Sequence, residues 1–223
     1  DIMIMDFNKM VEELGSVETL KTDFVSNVSH EMKTPIAVIK NYAELLRNGK
    51  AADEEKREYA KNIEEAAERL SGLITDILRL NKLENQRIDP EIEVYDLCGQ
   101  LEECILNYEE MWDEKHLDLE ADIMEGAFVR ADRSLMEVVW NNLLSNAIKF
   151  TDPGGNVAIR QKISEEYVEV EVSDSGCGMS KESIRHIFDK FYQGDTSHSK
   201  EGNGLGLALV KRILILMNGE ISV

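Results

Sequence analysis

Along the first half of the chain, apolar residues recur in alternating steps of four and three: Met3, Phe7, Met10, Leu14, Val17, then Phe24 and Val28. Lys21 interrupts this stripe and Gly15 weakens it. The spacing winds one apolar seam along a helix and predicts a long α-helix of heptad character. The seam continues through Pro35, Ile39, Tyr42 and Leu46, and the polar, glycine-containing stretch from Arg47 to Asp53 predicts a turn. A second helix is predicted from Tyr59, Ile63, Ala66, Leu70, Leu73, Ile77 and Leu80. Ile74 and Leu78 widen its stripe beyond a two-stranded seam, which suits a four-helix bundle. Two helices cannot bury both stripes alone, so the pattern predicts a homodimer in which two hairpins share one bundle. On periodicity alone, a plain coiled coil without chemistry fits at least as well.

Pro90 marks a change of pattern. An amphipathic helix is predicted from Leu97 to Trp112, with short strands over Leu117 to Ile123 and Phe128 to Arg130. Asp132 is a natural N-cap for a helix running to about Phe150. Asp152, Pro153, Gly154 and Gly155 spell a turn, and strands over 156–164 and 167–173 follow. The second of these alternates Val168, Val170 and Val172 with acidic residues. A last helix opens near Gly206 and runs to about Met217. Strands in series with helices on one face predict an α+β sandwich behind the helical hairpin.

Charge narrows the function. The chain has 44 acidic and 25 basic residues, for a net charge of −19. Nucleic acid is thereby excluded as a partner, because binding it needs a basic footprint. Any phosphate site must instead rely on backbone amides, a metal ion and a few local cations. Three cysteines, Cys98, Cys104 and Cys177, lack metal-ligand spacing and fit a reducing compartment. No apolar run is long enough to span a membrane. The absence of an initiator Met and the abrupt stop at Val223 read as a piece of a longer protein.

Four short constellations carry candidate chemistry. In the first, Asn27, His30, Thr34 and Asn41 line a polar helix stripe, which exposes the His30 imidazole as a nucleophile. Glu31 is beside it to manage a ring proton, and Thr34 is one turn on, where its hydroxyl can position a water. Pro35 removes a backbone hydrogen bond and predicts a kink next to the site. In the second, Asn142, Asn146 and Lys149 share a helix face, offering a hard oxygen ligand for Mg²⁺ and a cation for phosphate. In the third, Asp174 ends a strand ahead of Gly176 and Gly178, a carboxylate able to accept from an exocyclic amine. In the fourth, Gly202, Gly204 and Gly206 open a helix and form an amide-lined anion site. Before it, the polar stretch from Gln193 to Glu201 has little to bury and suits a mobile lid. Taken singly, each of these also reads as ordinary surface polarity.

Taken in order, they closely resemble the sensor histidine kinase family over residues 17–223. Ser29 to Pro35 is similar to its phosphoacceptor box and Asn142 to Asn146 to its asparagine box. Asp174 to Gly178 resembles the first glycine box, Phe188 to Tyr192 the phenylalanine box and Gly202 to Gly206 the second glycine box. Residues 1–16, with Phe7, Asn8, Lys9 and Met10, look like the end of a HAMP linker.

The resemblance implies a dimeric phosphoacceptor hairpin over 17–88 and an α/β sandwich ATP-binding domain over 89–223. It makes His30 the phosphoacceptor, Glu31 the general base and Thr34 the support for a phosphatase activity. It puts Asn146 on Mg²⁺, with Asn142, Lys149 and Phe150 beside the nucleotide and Asp174 on the adenine amine. Gly176, Gly178, Gly202, Gly204, Leu205 and Gly206 would shape the walls and lid. The partner implied is an aspartate-bearing receiver domain of a response regulator. The whole protein would sit in the bacterial cell membrane through an upstream sensor, with this portion cytoplasmic.

Three departures accompany it. Gln193 stands where many members carry Arg, so a phosphate contact is either missing or supplied by Lys200 or Lys190. The family's further glycine turn and strand are expected beyond Val223, and the sensor is absent. A non-kinase ATPase of the same nucleotide fold is the rival reading, and it would form no phosphoprotein.

Overall fold

A computed structural model describes residues 2–49, 51–85, 88–194 and 202–223, with side chains from Thr22 onward. The chain divides into two compact units, Asp1–Leu78 and Arg79–Val223.

The first unit is a helical hairpin. Helix α1 spans Ile2–Arg47 and α2 spans Asp53–Glu84, its last turns belonging to the second unit. Gly49, at φ +66°, makes the turn between them in a conformation that side chains resist. Acidic Asp53, Glu54 and Glu55 favour the positive end of the α2 dipole, and Glu55 Oε2 accepts from Ala52 N at 2.7 Å. The rings of Tyr42 and Tyr59 meet at 5.5 Å between the helices, and Pro35, Ala66 and Leu73 are buried. Helix α1 is unbroken through Pro35. Several large apolar side chains stay open to solvent: Val25, Ile36, Leu45, Ile74 and Leu78 are each exposed, Val25 and Leu78 by 57%.

The second unit is α+β. Strand β1 (Ile92–Asp96) pairs antiparallel with β3 (Phe128–Asp132). A second sheet has the order β2-β4-β5, in which β2 (Asp118–Asp122) runs parallel to β4 (Asn156–Ile163) and β5 (Val168–Asp174) antiparallel to it. The helices are α3 (Leu97–Leu106), α4 (Glu109–Glu114), α5 (Arg133–Phe150), α6 (Lys181–His186) and α7 (Gly206–Leu216). Helix α5 is the central one, packing against α3, α7 and β5. It buries Val139, Trp140, Leu144 and Ile148 in a core shared with Leu101, Val157, Ile159, Leu209 and Ile213. Buried Gln100 ties α3 to α5, accepting from Trp140 Nε1 at 3.0 Å and donating to Arg133 O at 2.7 Å. The end of α2 belongs to this unit, where Leu80 and Leu83 are 2% exposed and the Arg212 guanidinium donates to Leu83 O at 3.0 and 3.3 Å.

The local elements differ from expectation in three places. The helix expected over Leu97 to Trp112 is two helices. It breaks at Asn107 and Tyr108, where the Tyr108 hydroxyl donates to Asn141 O at 3.2 Å. Strand β1 was not foreseen, since only Tyr95 of its five residues is buried and the alternation is faint. The short helix α6, capped by Ser180 Oγ accepting from Ser183 N, was not foreseen either.

Asp132 caps α5 as its sequence position suggests. Its carboxylate accepts from Leu135 N (3.0 Å), Ser134 Oγ (2.8 Å) and Glu91 N (2.9 Å), tying the helix start to the entry of β1. Burial pushes this carboxyl up, but the three donors outweigh it and hold its pKa below the usual value. A lowered folded pKa means the stabilisation is present above the unfolded carboxylate pKa and is lost as pH falls through the folded one. Asp132→Ala is expected to destabilise the second unit by about 2 kcal/mol at neutral pH. Thermal melts should show the gap to wild type closing as the solution is made strongly acidic. A gap independent of pH sinks this account.

Candidate functional site

On α1, the stripe of Asn27, His30, Thr34 and Asn41 is exposed, while Phe24, Val28 and Ile39 are partly covered. Glu31 is half-buried next to His30. Thr34, four residues on, shares the His30 face. Pro35 has no N–H to give the Glu31 carbonyl, so one backbone acceptor beside the imidazole lacks its helical donor. Ser29 is engaged within the helix, its hydroxyl donating to Val25 O at 2.8 Å. A solvated imidazole with a carboxylate and a hydroxyl at hand can give up electrons to an electrophile and manage the proton it loses.

In the second unit, the polar face of α5 presents Asn142, Asn146 and Lys149, all half-buried, opposite buried Leu144, Ala147 and Ile148. Two glycine segments close on this helix. A Cβ at Gly202 would stand 2.7 Å from Lys149 Nζ, and one at Gly206 would collide with Asn142 Oδ1. A Cβ at Gly176 would lie 2.5 Å from Phe150 O and 2.7 Å from Asp174 Oδ1. The absence of side chains lets both glycine segments lie against the asparagine-bearing helix. Lys149 Nζ also stands 4.6 Å over the Phe150 ring.

Each segment is pinned locally. Asp174, exposed at the end of β5, accepts from Gly176 N at 2.9 Å, and Gly178 turns the chain at φ +65° with open space around it. Phe191 N donates to Gly204 O at 2.8 Å, joining the segment after α6 to the second glycine run. Gln193 Nε2 donates to Gly202 O at 2.9 Å, so the residue found in place of Arg braces that run. Leu205 is fully buried, and its N–H bonds Asn203 Oδ1 at 3.0 Å. It offers α7 no side-chain cap, which leaves first-turn amides to meet an anion.

The sequence-derived site residues therefore fall in two groups. His30, Glu31 and Thr34 belong to the first unit. Asn142, Asn146, Lys149, Phe150, Asp174 and the glycines of both runs belong to the second, where close approaches link them. Lys200 and residues 195–201 of the expected lid lie outside the described residues. Lys190 forms an ion pair with Glu84 Oε1 at 2.5 Å. Cys98 and Cys104 are buried, and burial pushes both thiols up, Cys104 to about 11.

One residue escaped the sequence reading. Lys115 Nζ donates to the carbonyls of Ile148 (2.7 Å), Lys149 (2.9 Å) and Thr151 (3.0 Å) at the end of α5. Nothing in the local sequence signals a bond to a helix more than thirty residues away.

Two family models match the chain. Residues 20–86 match the His Kinase A (phospho-acceptor) domain, and residues 131–223 match the histidine kinase-, DNA gyrase B-, and HSP90-like ATPase. The heme sensor protein HssS of Staphylococcus aureus is 36% identical over 220 residues, covering 96% of this chain and 46% of the relative. The sensor-like histidine kinase SenX3 of Mycolicibacterium smegmatis is 29% identical over 211 residues, covering 94% of this chain and 55% of the relative. The chain thus spans about half the length of the curated relatives it matches. Among solved structures, histidine kinase ThkA in complex with the response regulator protein TrrA is similar, with a TM-score of 0.71 and 26% identity. That likeness covers 95% of this chain and 60% of ThkA.

Proposed function

Because the chain belongs to the sensor histidine kinase family, we propose that it takes the γ-phosphoryl group of ATP onto His30 and passes it to an aspartate of a response-regulator receiver domain. The observation that carries this reading is the convergence of both glycine runs on the polar face of α5, with Gly202 against Lys149, Gly206 against Asn142 and Gly176 against the Phe150 carbonyl. These close approaches form walls of bare backbone, which suits a nucleotide held mainly by amides in a chain of net charge −19.

The residues also fit a magnesium ion. Among the described residues no group of three or more His, Cys, Asp or Glu could hold a metal by itself. Asn146 supplies a neutral oxygen, and the remaining ligands would be phosphate oxygens and water. When bound, Mg²⁺ neutralises charge on the transferring phosphoryl group. Asp174 would accept from the adenine amine, Lys149 would meet phosphate, and the amides at the start of α7 would take the anionic oxygens.

In the transfer, a ring nitrogen of His30 bonds to the γ-phosphorus as the bond to the β–γ bridging oxygen breaks and ADP leaves. Glu31 takes the proton from the other ring nitrogen. Thr34 would orient water for hydrolysis of the phosphoryl group on a phosphorylated regulator, a second activity of the same face. Exposed apolar side chains such as Val25, Ile36, Ile74 and Leu78 would be covered by a second copy in a homodimeric four-helix bundle. Residues 17–88 are then the phosphoacceptor hairpin, 89–223 the ATP-binding domain, and 1–16 the end of a HAMP-like linker. No helix among the described residues is long and apolar enough to cross a membrane.

Incubation with γ-labelled ATP and Mg²⁺ tests the reading. Label should enter the protein in an acid-labile, alkali-stable form and move to a purified receiver domain on mixing. Steady phosphate release with no labelled protein would point instead to a simple ATPase.

A further inference from the structure

The last turn of a helix leaves carbonyls without intrahelical donors and concentrates the negative end of the helix dipole. At the end of α5 this turn carries Lys149 and Phe150, two of the residues that face the glycine runs. The carbonyls of Ala147, Ile148 and Lys149 each accept a hydrogen bond. Ala147 O accepts from Thr151 N at 3.1 Å and from Thr151 Oγ1 at 2.6 Å. Phe150 O faces bare Gly176. Ile148 O, Lys149 O and Thr151 O all accept from the Lys115 ammonium. Three donors therefore meet three acceptors, and a positive charge stands at the helix's negative end.

Lys115 is held just as firmly. Its carbonyl accepts from Gly154 N at 2.9 Å, and Asp118 N donates to Gly155 O at 2.8 Å, stitching the entry of β2 to the turn that follows α5. His116 sustains the tight reversal at φ +53°. The ammonium is delivered to the helix end by backbone fixed on both sides.

We propose that Lys115 is a positioning residue of the nucleotide site, fixing the last turn of α5 so that Lys149 and the Phe150 carbonyl hold their places against Gly202 and Gly176. The inference rests on the ATP-binding reading above. Its chemical logic is electrostatic as well as geometric. An uncompensated helix C-terminus would repel a polyphosphate in a strongly acidic chain, and Lys115 offsets that end without itself touching ligand.

The test measures binding of a non-hydrolysable ATP analogue with Mg²⁺, so phosphotransfer plays no part. If the wild-type chain fails to bind the analogue, the ATP-binding reading fails and this inference with it. Given wild-type binding, Lys115→Met should weaken the analogue roughly tenfold. Asp132→Ala, which damages the opposite end of the same helix, should leave the affinity within about twofold at a comparable loss of melting temperature. Lys115→Arg, which keeps the charge and donors, should recover a substantial part of the affinity. Equal affinity in wild type and Lys115→Met overturns the proposal, as does equal weakening in Lys115→Met and Asp132→Ala. If Lys115→Met does not fold, Lys115→Gln takes its place with the same expectations. Failure of both to fold also overturns it, because the role would then be structural.

Discussion

Replacing His30 with Gln is expected to abolish phosphate uptake from ATP while leaving nucleotide affinity unchanged. The substitution keeps a polar side chain of similar reach and removes the nucleophilic nitrogen. His30 is exposed on a continuous helix, so the exchange costs the fold little, within about 0.5 kcal/mol. The nucleotide residues belong to the other unit, so binding of an ATP analogue provides the internal control. Acid-labile label in His30→Gln at the wild-type rate would assign the phosphoacceptor elsewhere. Selective loss of label with analogue binding intact is the outcome that separates a histidine kinase from an ATPase of the same fold.

The second large effect is expected at Gly204. Its φ of +66° costs an ordinary side chain about 1–2 kcal/mol, and that is the smaller part of the problem. A Cβ there would stand 2.7 and 2.8 Å from the carbonyl carbon and Cα of Phe191 and 2.9 Å from Tyr192 O. All three neighbours are backbone atoms, so no side chain can swing away. Phe191 is itself at φ +62° and bonded to Gly204 O, so relief must distort the segment after α6 or the start of α7. Gly204→Ala should therefore weaken analogue binding on the order of 100-fold through displaced first-turn amides. The core of the second unit should persist, because Leu209 and Val210 are fully buried further along α7. Isothermal titration beside a thermal melt distinguishes a lost site from a lost fold. Binding within a few-fold of wild type would show that this turn does not shape the site.

Much of the architecture was legible in the chain because the strongest signals are local. Asp132 announces α5 with a side chain that caps its own next residues, and the helix follows as Arg133–Phe150. The α1–α2 hairpin is written in a long periodic stripe broken by Gly49 and its polar neighbours. Three features were hidden because their causes are remote in sequence. The break at Tyr108 depends on a hydroxyl reaching Asn141 O, and β1 exists by pairing with β3 across more than thirty residues. Lys115 looks like any surface lysine until its three carbonyl partners are seen. The motifs gave the order of the glycines but not their differing demands. Gly206 needs room, Gly178 needs its backbone angle, and Gly204 needs both, while only the end of the flexible Lys149 side chain crowds Gly202.

The burial of Leu80 and Leu83 beneath the Arg212 cap bears on how the protein can be dissected. Pro90 is the natural place to cut by eye, since the sequence pattern changes there. A fragment starting at that proline would lose two almost wholly buried leucines and strip Arg212 of its acceptor. The resulting bare apolar patch would invite self-association and depress stability for reasons unrelated to nucleotide. A fragment that begins ahead of Arg79 retains this stretch of helix as part of its own core, and is the sounder form in which to study ATP binding in isolation.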